Sequence, residues 1–237
     1  MFGLYKEEKA LRGKHKFVIM GSFSKLSKEM TMNAIFRKIV VIAFLFVFVP
    51  LFASTLMAFQ PAAKPRIMVL ATGGTIAGAA PTATQTVGYQ AAVLPVGEVL
   101  ASVPDLVGIA DIQGEQVVQI ASENMNPDIW MRIARRCEEL LGRDNADGIV
   151  ITHGTDTLEE TAFFLNLTLK SRKPVVLVGA MRPATALSAD GSLNLYNAVA
   201  TAASPIARGQ GVLVVMNDTI NAAREVTKTS TFSVETF

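Results

Sequence analysis

The chain has 237 residues, of which 50% are hydrophobic and 18% charged, so it can bury a sizeable core and is neither disordered nor low in complexity. The formal net charge of +2 hides a division: residues 1–63 carry nine Lys/Arg against three Asp/Glu, whereas the remainder carries thirteen against seventeen, is mildly acidic and offers no basic stripe for nucleic acid. Cys137 is the only cysteine and His153 the only histidine after the leader, which excludes an intrachain disulfide and leaves no Cys/His cluster for zinc.

The leader comes first. Ile39 to Phe59 is apolar apart from Ser54 and Thr55, follows Arg37 and Lys38, and gives way to Gln60-Pro-Ala-Ala-Lys-Pro65. That layout predicts a signal peptide cleaved at about 53–63, with Met30 or Met32 as alternative starts, and delivery of the body to the periplasm. A retained anchor competes with it, because a run of about twenty apolar residues also matches a membrane span. The domain expectation is therefore a leader over 1–63 and a folded body over 64–237, touching a membrane only through an uncleaved leader.

In the body, Arg66 to Thr72 reads as a buried strand ending in Gly73-Gly74, before Thr75-Ile-Ala-Gly78. Glycines there permit positive φ and close approach of a ligand, but neither phosphate-loop spacing is present. Residues 79–92 form a small, polar loop long enough to act as a lid, with Tyr89 as its one large residue, either an anchor or a functional group. Pro95 to Val103 is predicted as a short helix and Gln116 to Ile120 as a strand that leads into the turn Ser122-Glu-Asn-Met-Asn126. Pro127 to Gly142 is an amphipathic helix with Pro at its start and Gly at its end, in which Cys137 is a packed residue. Gly148–Thr152 is a strand, and after it Leu158, Ala162, Leu165 and Leu169 recur at helical spacing. Pro174–Gly179 and Gly211–Met216 are further strands, with Gly191–Ala203 a helix between them. Alternating strands and helices predict an α/β fold: a doubly wound, mostly parallel sheet flanked by helices.

In such a sheet, ligands bind beyond the carboxyl ends of the strands. The turns there bring Thr75, then Ser122 and Glu123, then Thr155 and Asp156, then Ala180-Met-Arg-Pro183, then Asn217-Asp218 to one edge. Hydroxyls and carboxylates without metal ligands suit the binding of a small zwitterion and attack on its acyl group. Asp156 followed by Glu159 also fits a helix-capping pattern, so both roles stand open for that residue.

Ala71-Thr-Gly-Gly-Thr-Ile-Ala-Gly78 and Ile151-Thr-His-Gly-Thr-Asp-Thr-Leu-Glu-Glu160 closely resemble the two signatures of bacterial type II L-asparaginases. Val178-Gly-Ala-Met-Arg-Pro, Ser188-Ala-Asp-Gly, Val214-Val-Met-Asn-Asp and Val226-Thr-Lys-Thr extend the resemblance over almost all of Arg66 to Phe237. It implies hydrolysis of the side-chain amide of L-asparagine, and of L-glutamine, to the acid and ammonia, without a cofactor or metal, in a homotetramer. By the same resemblance Thr75 is the nucleophile, Tyr89 its hydrogen-bond partner, and Thr155, Asp156 and Lys228 a second hydroxyl, carboxylate and amine constellation. Gly74, Ser122, Glu123, Thr155 and Asp156 would bind the substrate. Which threonine attacks first stays open at this point, with Thr75 preferred.

The resemblance also implies a smaller C-terminal α/β domain beyond Phe237, so the chain is expected to be an incomplete N-terminal domain, inactive alone. The disulfide of some members is impossible with Cys137 alone. The competing functions are an asparaginase-like amidotransferase subunit, against which the leader argues, and a periplasmic amino-acid binding protein without turnover.

Overall fold

The computed structural model describes residues 63–143 and 145–237, together with Asn33, residues 36–39, Val41, Ile42 and Phe44 of the leader. The leader residues described are helical and exposed. The expected start codons' residues and, Ala63 apart, the expected cleavage region lie outside the described residues. Among the described residues no helix is long and apolar enough to cross a membrane. The chain divides into two compact units, Met1–Ala62 and Ala63–Phe237, and the second carries the sheet.

That sheet has six strands in the order β2-β1-β3-β4-β5-β6. They are β1 Arg66–Gly73, β2 Asp111–Ile120, β3 Gly148–Thr152, β4 Val175–Val178, β5 Val212–Met216 and β6 Thr219–Ala222. Neighbours from β2 through β5 pair in parallel, and β6 returns antiparallel to β5. The helices are α1 Val96–Ala101, α2 Leu106–Ile109, α3 Pro127–Gly142, α4 Leu158–Thr168 and α5 Gly191–Ala203.

The central strands read as unbroken apolar runs because both faces are covered. Ile67, Val69, Val150, Val176 and Val215 pack with Leu195 and Val199 of α5 and with α1 and α2, while Leu70, Ile149, Ile151, Leu177 and Val214 pack with Ile133 and Cys137 of α3 and Leu158 and Leu165 of α4. Adjacent residues of one strand serve opposite cores, as the period of two requires. Cys137 is fully buried, and burial pushes its thiol up to about 12, so it is the packed residue expected. The start of α3 is as legible: Pro127 opens it, and the Asn126 side chain accepts from Ile129 N–H at 3.2 Å.

Differences from the sequence reading are local. β2 starts at Asp111, five residues before Gln116, because an edge strand tolerates exposed polar residues that hide its period. α2 has four residues, too few for a helical pattern, and α4 ends at Thr168, before Leu169. The Asn217-Asp218 turn is a β-hairpin: both residues have positive φ, 50° and 60°, the geometry a two-residue hairpin loop demands. Asn197 donates to Asp218 Oδ1 at 2.8 Å, tying the hairpin to α5.

Leu165 lies wholly buried between α4 and the sheet, whereas Leu167 is 69% exposed. Leu165→Ala is expected to cost about 2–5 kcal/mol through lost burial and a residual cavity, and Leu167→Ala less than about 0.5 kcal/mol. Urea unfolding midpoints of the two variants check this.

Candidate active site

Strand β1 is the point at which the winding reverses, because the chain runs from β1 to β2 on one side and later places β3 on the other. The crevice beyond the carboxyl ends of β1 and β3 is therefore the switch point where open α/β sheets bind ligands. Gly74, with φ of 77°, turns the chain out of β1; a Cβ on it would lie 2.4 Å from the Gly154 Cα, and a Cβ on Gly154 would lie 2.5 Å from Ser122 Oγ. The β1 and β3 turns thus meet backbone to backbone, with the Ser122 side chain packed on the second of them, and only glycine permits either approach.

Thr75 follows, 9% exposed, in a short 3-10 turn over Thr75–Ala77, and its Oγ1 is 2.7 Å from the hydroxyl of Tyr89. Tyr89 arrives on the 79–92 loop, which is irregular apart from an antiparallel bridge between Ala79 and Gln90. After β2, Ser122 is buried and Glu123 exposed, and Thr157 Oγ1 donates to Ser122 O at 2.8 Å. After β3, Thr155 is 6% exposed, and Lys228 Nζ donates to Thr155 Oγ1 at 2.8 Å and to Asp156 Oδ1 at 2.6 Å. The backbone N–H of Lys228 donates to the Glu159 carboxylate, which fixes the lysine from its main chain.

The capping role left open for Asp156 is not realised. Thr157 stands at the cap of α4 without a side-chain cap bond, and both Asp156 and Glu159 turn to Lys228. Glu159 and Thr157 are the contributors that sequence reasoning missed. The spacing of Glu159 from Asp156 was visible, but it fitted a cap equally well.

His153 is fully buried, and burial lowers its pKa to about 4, so it is neutral at physiological pH. Its Nδ1 lies 2.7 Å from the Gly154 carbonyl, which only accepts, so the ring proton is assigned to Nδ1 and Nε2 accepts from the Thr161 hydroxyl at 2.9 Å. The indole N–H of Trp130 donates to the same Thr161 oxygen at 2.8 Å. A hydrogen-bond chain therefore runs from α3 through α4 to the Gly154 peptide.

A cavity of about 270 Å³ is lined by Gly74, Thr75, Tyr89, Ser122, Glu123, Gly154, Thr155 and Asp156 among others. That is below the span of about 300–1,000 Å³ usual for drug-sized ligands. Every predicted site residue lines it except Lys228, which reaches Thr155 and Asp156. Of the five turns expected at this edge, the Ala180–Pro183 and Asn217–Asp218 turns contribute no lining. A larger groove of about 820 Å³ runs between α5 and the edge strand β6, past Ile206, Leu213 and Ile220, and contains none of the predicted site residues. Among the described residues no group of three or more His, Cys, Asp or Glu is placed to hold a metal.

Buried hydroxyls paired with a phenol and with an amine lie in a small pocket at the switch point of a doubly wound, mostly parallel α/β sheet. Residues 66–237 match the family described as Asparaginase, N-terminal, and the chain belongs to that family. It is 56% identical over 173 residues to L-asparaginase 2 of Bacillus subtilis (strain 168), which covers 73% of this chain and 46% of that protein. Identity to the glutaminase-asparaginase of Pseudomonas fluorescens biotype A is 51% over 200 residues, 80% of this chain and 55% of that one. The crystal structure of a probable cytoplasmic L-asparaginase from Campylobacter jejuni superimposes with a TM-score of 0.72 at 51% identity, over 73% of this chain and 53% of the other. The chain thus spans about half the length of the relatives it matches.

Neutral His153 makes stability depend on pH. Its folded value of about 4 lies below the ordinary 6.5, so between these the unfolded chain binds the proton and the folded chain does not. Stability therefore falls as pH drops from 6.5 to 4, by a limit on the order of 3 kcal/mol. Asp147, held at about 2 by hydrogen bonds from Arg66, adds its own loss only below 3.8. Urea midpoints between pH 7 and 4.5 should decline for the wild-type chain and much less for His153→Gln.

Proposed function

We propose that the chain is the N-terminal, nucleophile-bearing domain of a secreted amidohydrolase that splits the side-chain amide of L-asparagine, and of L-glutamine, into the acid and ammonia. The observation that carries this reading is the 2.7 Å contact between Thr75 Oγ1 and Tyr89 Oη, in the same cavity as Thr155. A threonine hydroxyl is a weak nucleophile until a neighbour takes its proton, and the phenol is in hydrogen-bond reach. Thr75 attacks the amide carbon while its proton passes through the phenol oxygen to the departing nitrogen, which leaves as ammonia, and water hydrolyses the resulting ester to the acid and the free Thr75 hydroxyl.

The remaining groups suit the two ends of an amino acid. The Ser122 hydroxyl donates to the α-carboxylate, and the exposed Asp156 carboxylate accepts the α-ammonium. Lys228 holds Thr155 and Asp156 together at 2.8 and 2.6 Å, so the second threonine is oriented for the water or the leaving group. No cofactor enters the scheme. Secretion to the periplasm is supported by the Arg37-Lys38 and apolar pattern of the leader, with the folded body over 64–237; the Campylobacter protein carries a cytoplasmic description, so localisation within the family is not uniform. The proposed assembly is a homotetramer of the length of the relatives.

In a protein of that length, Thr75→Ala and Thr155→Ala are each expected to lower kcat by several orders of magnitude, because no adjacent hydroxyl replaces either. Ammonia release from asparagine is the assay, and near-normal turnover in either variant removes that threonine from the mechanism.

Glu123 after Ser122 and the Tyr89-Gln-Ala-Ala segment resemble the glutaminase-asparaginase branch. One methylene changes discrimination by about 10–200-fold. The expected kcat/KM for glutamine lies within that factor of the value for asparagine, and absence of measurable glutamine turnover contradicts it.

A further inference from the structure

The loop that carries Tyr89 stands on two feet. Its second foot is the site itself: Ala92 N–H donates to Gly74 O at 3.0 Å, Val93 N–H to Ala77 O at 2.7 Å, and the Gln119 amide to Ala92 O at 2.9 Å. Its first foot rests on the segment 180–190, which contributes nothing to the cavity lining. There Ala184 N–H donates to Gly78 O at 2.9 Å, Ala80 N–H to Thr185 Oγ1 at 2.9 Å, and Leu187 N–H to Ala83 O at 2.8 Å.

This supporting segment is braced from behind. Asp190 precedes α5 but makes no cap bond to it; its two carboxylate oxygens accept the N–H groups of Met181 at 2.9 Å and Arg182 at 3.0 Å. Arg182 donates to Ser188 O at 3.1 Å across the same bend. Asn194, 3% exposed, donates to Asp190 and to Gly179 O and accepts from the backbone of Asn217. Hydrogen bonds thus run from the β5–β6 hairpin through Asn194 and Asp190 to Met181 and Arg182, and from there the chain itself leads to Ala184 and Thr185, which hold the loop bearing Tyr89.

We infer that Asp190 and Thr185 are positioning residues for Tyr89: the 180–190 segment is a preformed bracket that sets where the loop sits and hence where the phenol meets Thr75. The inference rests on the proposed role of Tyr89 as partner of the nucleophile. Its physical basis is that an irregular loop with many exposed small residues does not hold a phenol within hydrogen-bond tolerance unless both ends are fixed. A carboxylate that receives two backbone N–H groups is a strong, directional brace.

Amide hydrogen exchange of the full chain, read segment by segment, tests this without requiring turnover. Thr185→Val keeps the shape and removes the hydroxyl; it should speed exchange in residues 79–90 by roughly fivefold, the factor carried by one lost hydrogen bond. It should leave 180–190 and the amides of β1 and β3 at their original rates. Thr185→Ser should restore the slow rate. Asp190→Asn, with one oxygen where two amides are now held, should speed both 180–190 and 79–90. Unchanged exchange in 79–90 for both Thr185→Val and Asp190→Asn would show that the second foot alone holds Tyr89 and would overturn the inference. So would an equal acceleration throughout the sheet, which marks a general loss of stability. Absence of amide hydrolysis in a full-length protein would instead defeat the proposed function, with the exchange result standing on its own.

Discussion

The contact of Gly74 with Gly154 is the constraint on which the site depends. Two parallel neighbours, β1 and β3, run in register from Ile67 opposite Gly148 to Ala71 opposite Thr152, so their chains leave the sheet side by side. A Cβ at either glycine would overlap the opposing turn or Ser122. The absence of side chains brings the turns to backbone contact, and the next residue of each, Thr75 and Thr155, lines the same cavity. Glycine costs conformational entropy in both places. The β1–β3 pairing and two apolar cores offset it, since the strand residues directly beneath the turns, Val69 to Gly73 and Gly148 to Thr152, are all buried.

Polar groups at the site divide into those that shape it and those left in water. His153 belongs to the first kind: neutral, buried and bonded on both ring nitrogens, it links α4 to the Gly154 peptide. A buried imidazole left unpaired would cost more than its bonds return, so the network is complete on both sides. The Lys228–Asp156 pair spans both kinds, with side chains 14% and 65% exposed. With its carboxylate in water the pair adds little stability. Its value lies in geometry, since one ammonium sets both the Thr155 hydroxyl and the Asp156 carboxylate.

The sequence made legible whatever is repeated locally. β3, β4 and β5 could be read because burial on both faces leaves a plain apolar run, and α3 because Pro127, Gly142 and its apolar stripe agree. The two site turns showed themselves as glycine and threonine clusters directly after strands. What escaped was contact between distant segments. Lys228 meets Asp156 across 72 positions, and no spacing rule announces such a pair; only resemblance to a family pointed to it. Thr185 meets Ala80 across 105 positions, so the 180–190 turn could be placed at the sheet edge while its service to the loop stayed hidden. Asp156 and Glu159 stayed open in the sequence for the opposite reason, because a local capping pattern was present, and the tertiary partner won.

The distribution of burial decides what the proposed reaction needs around the crevice. The hydroxyls of Thr75, Ser122 and Thr155 are shielded, while Asp156 and Glu123 face solvent. Chemistry is therefore placed on the dry side of the crevice and recognition of the substrate's charges on the wet side. A carboxylate in water attracts an ammonium ion by only about 1 kcal/mol at contact, too little to hold a single amino acid against the entropy lost on binding. Recognition at Asp156 becomes effective only when water is displaced from it, and the same displacement strengthens every dipole aimed at the reacting carbonyl. The loop bearing Tyr89 can close one side of the crevice. Among the described residues the Asp156 side chain stays 65% exposed, so in the proposed reaction substrate binding must itself displace water from that carboxylate.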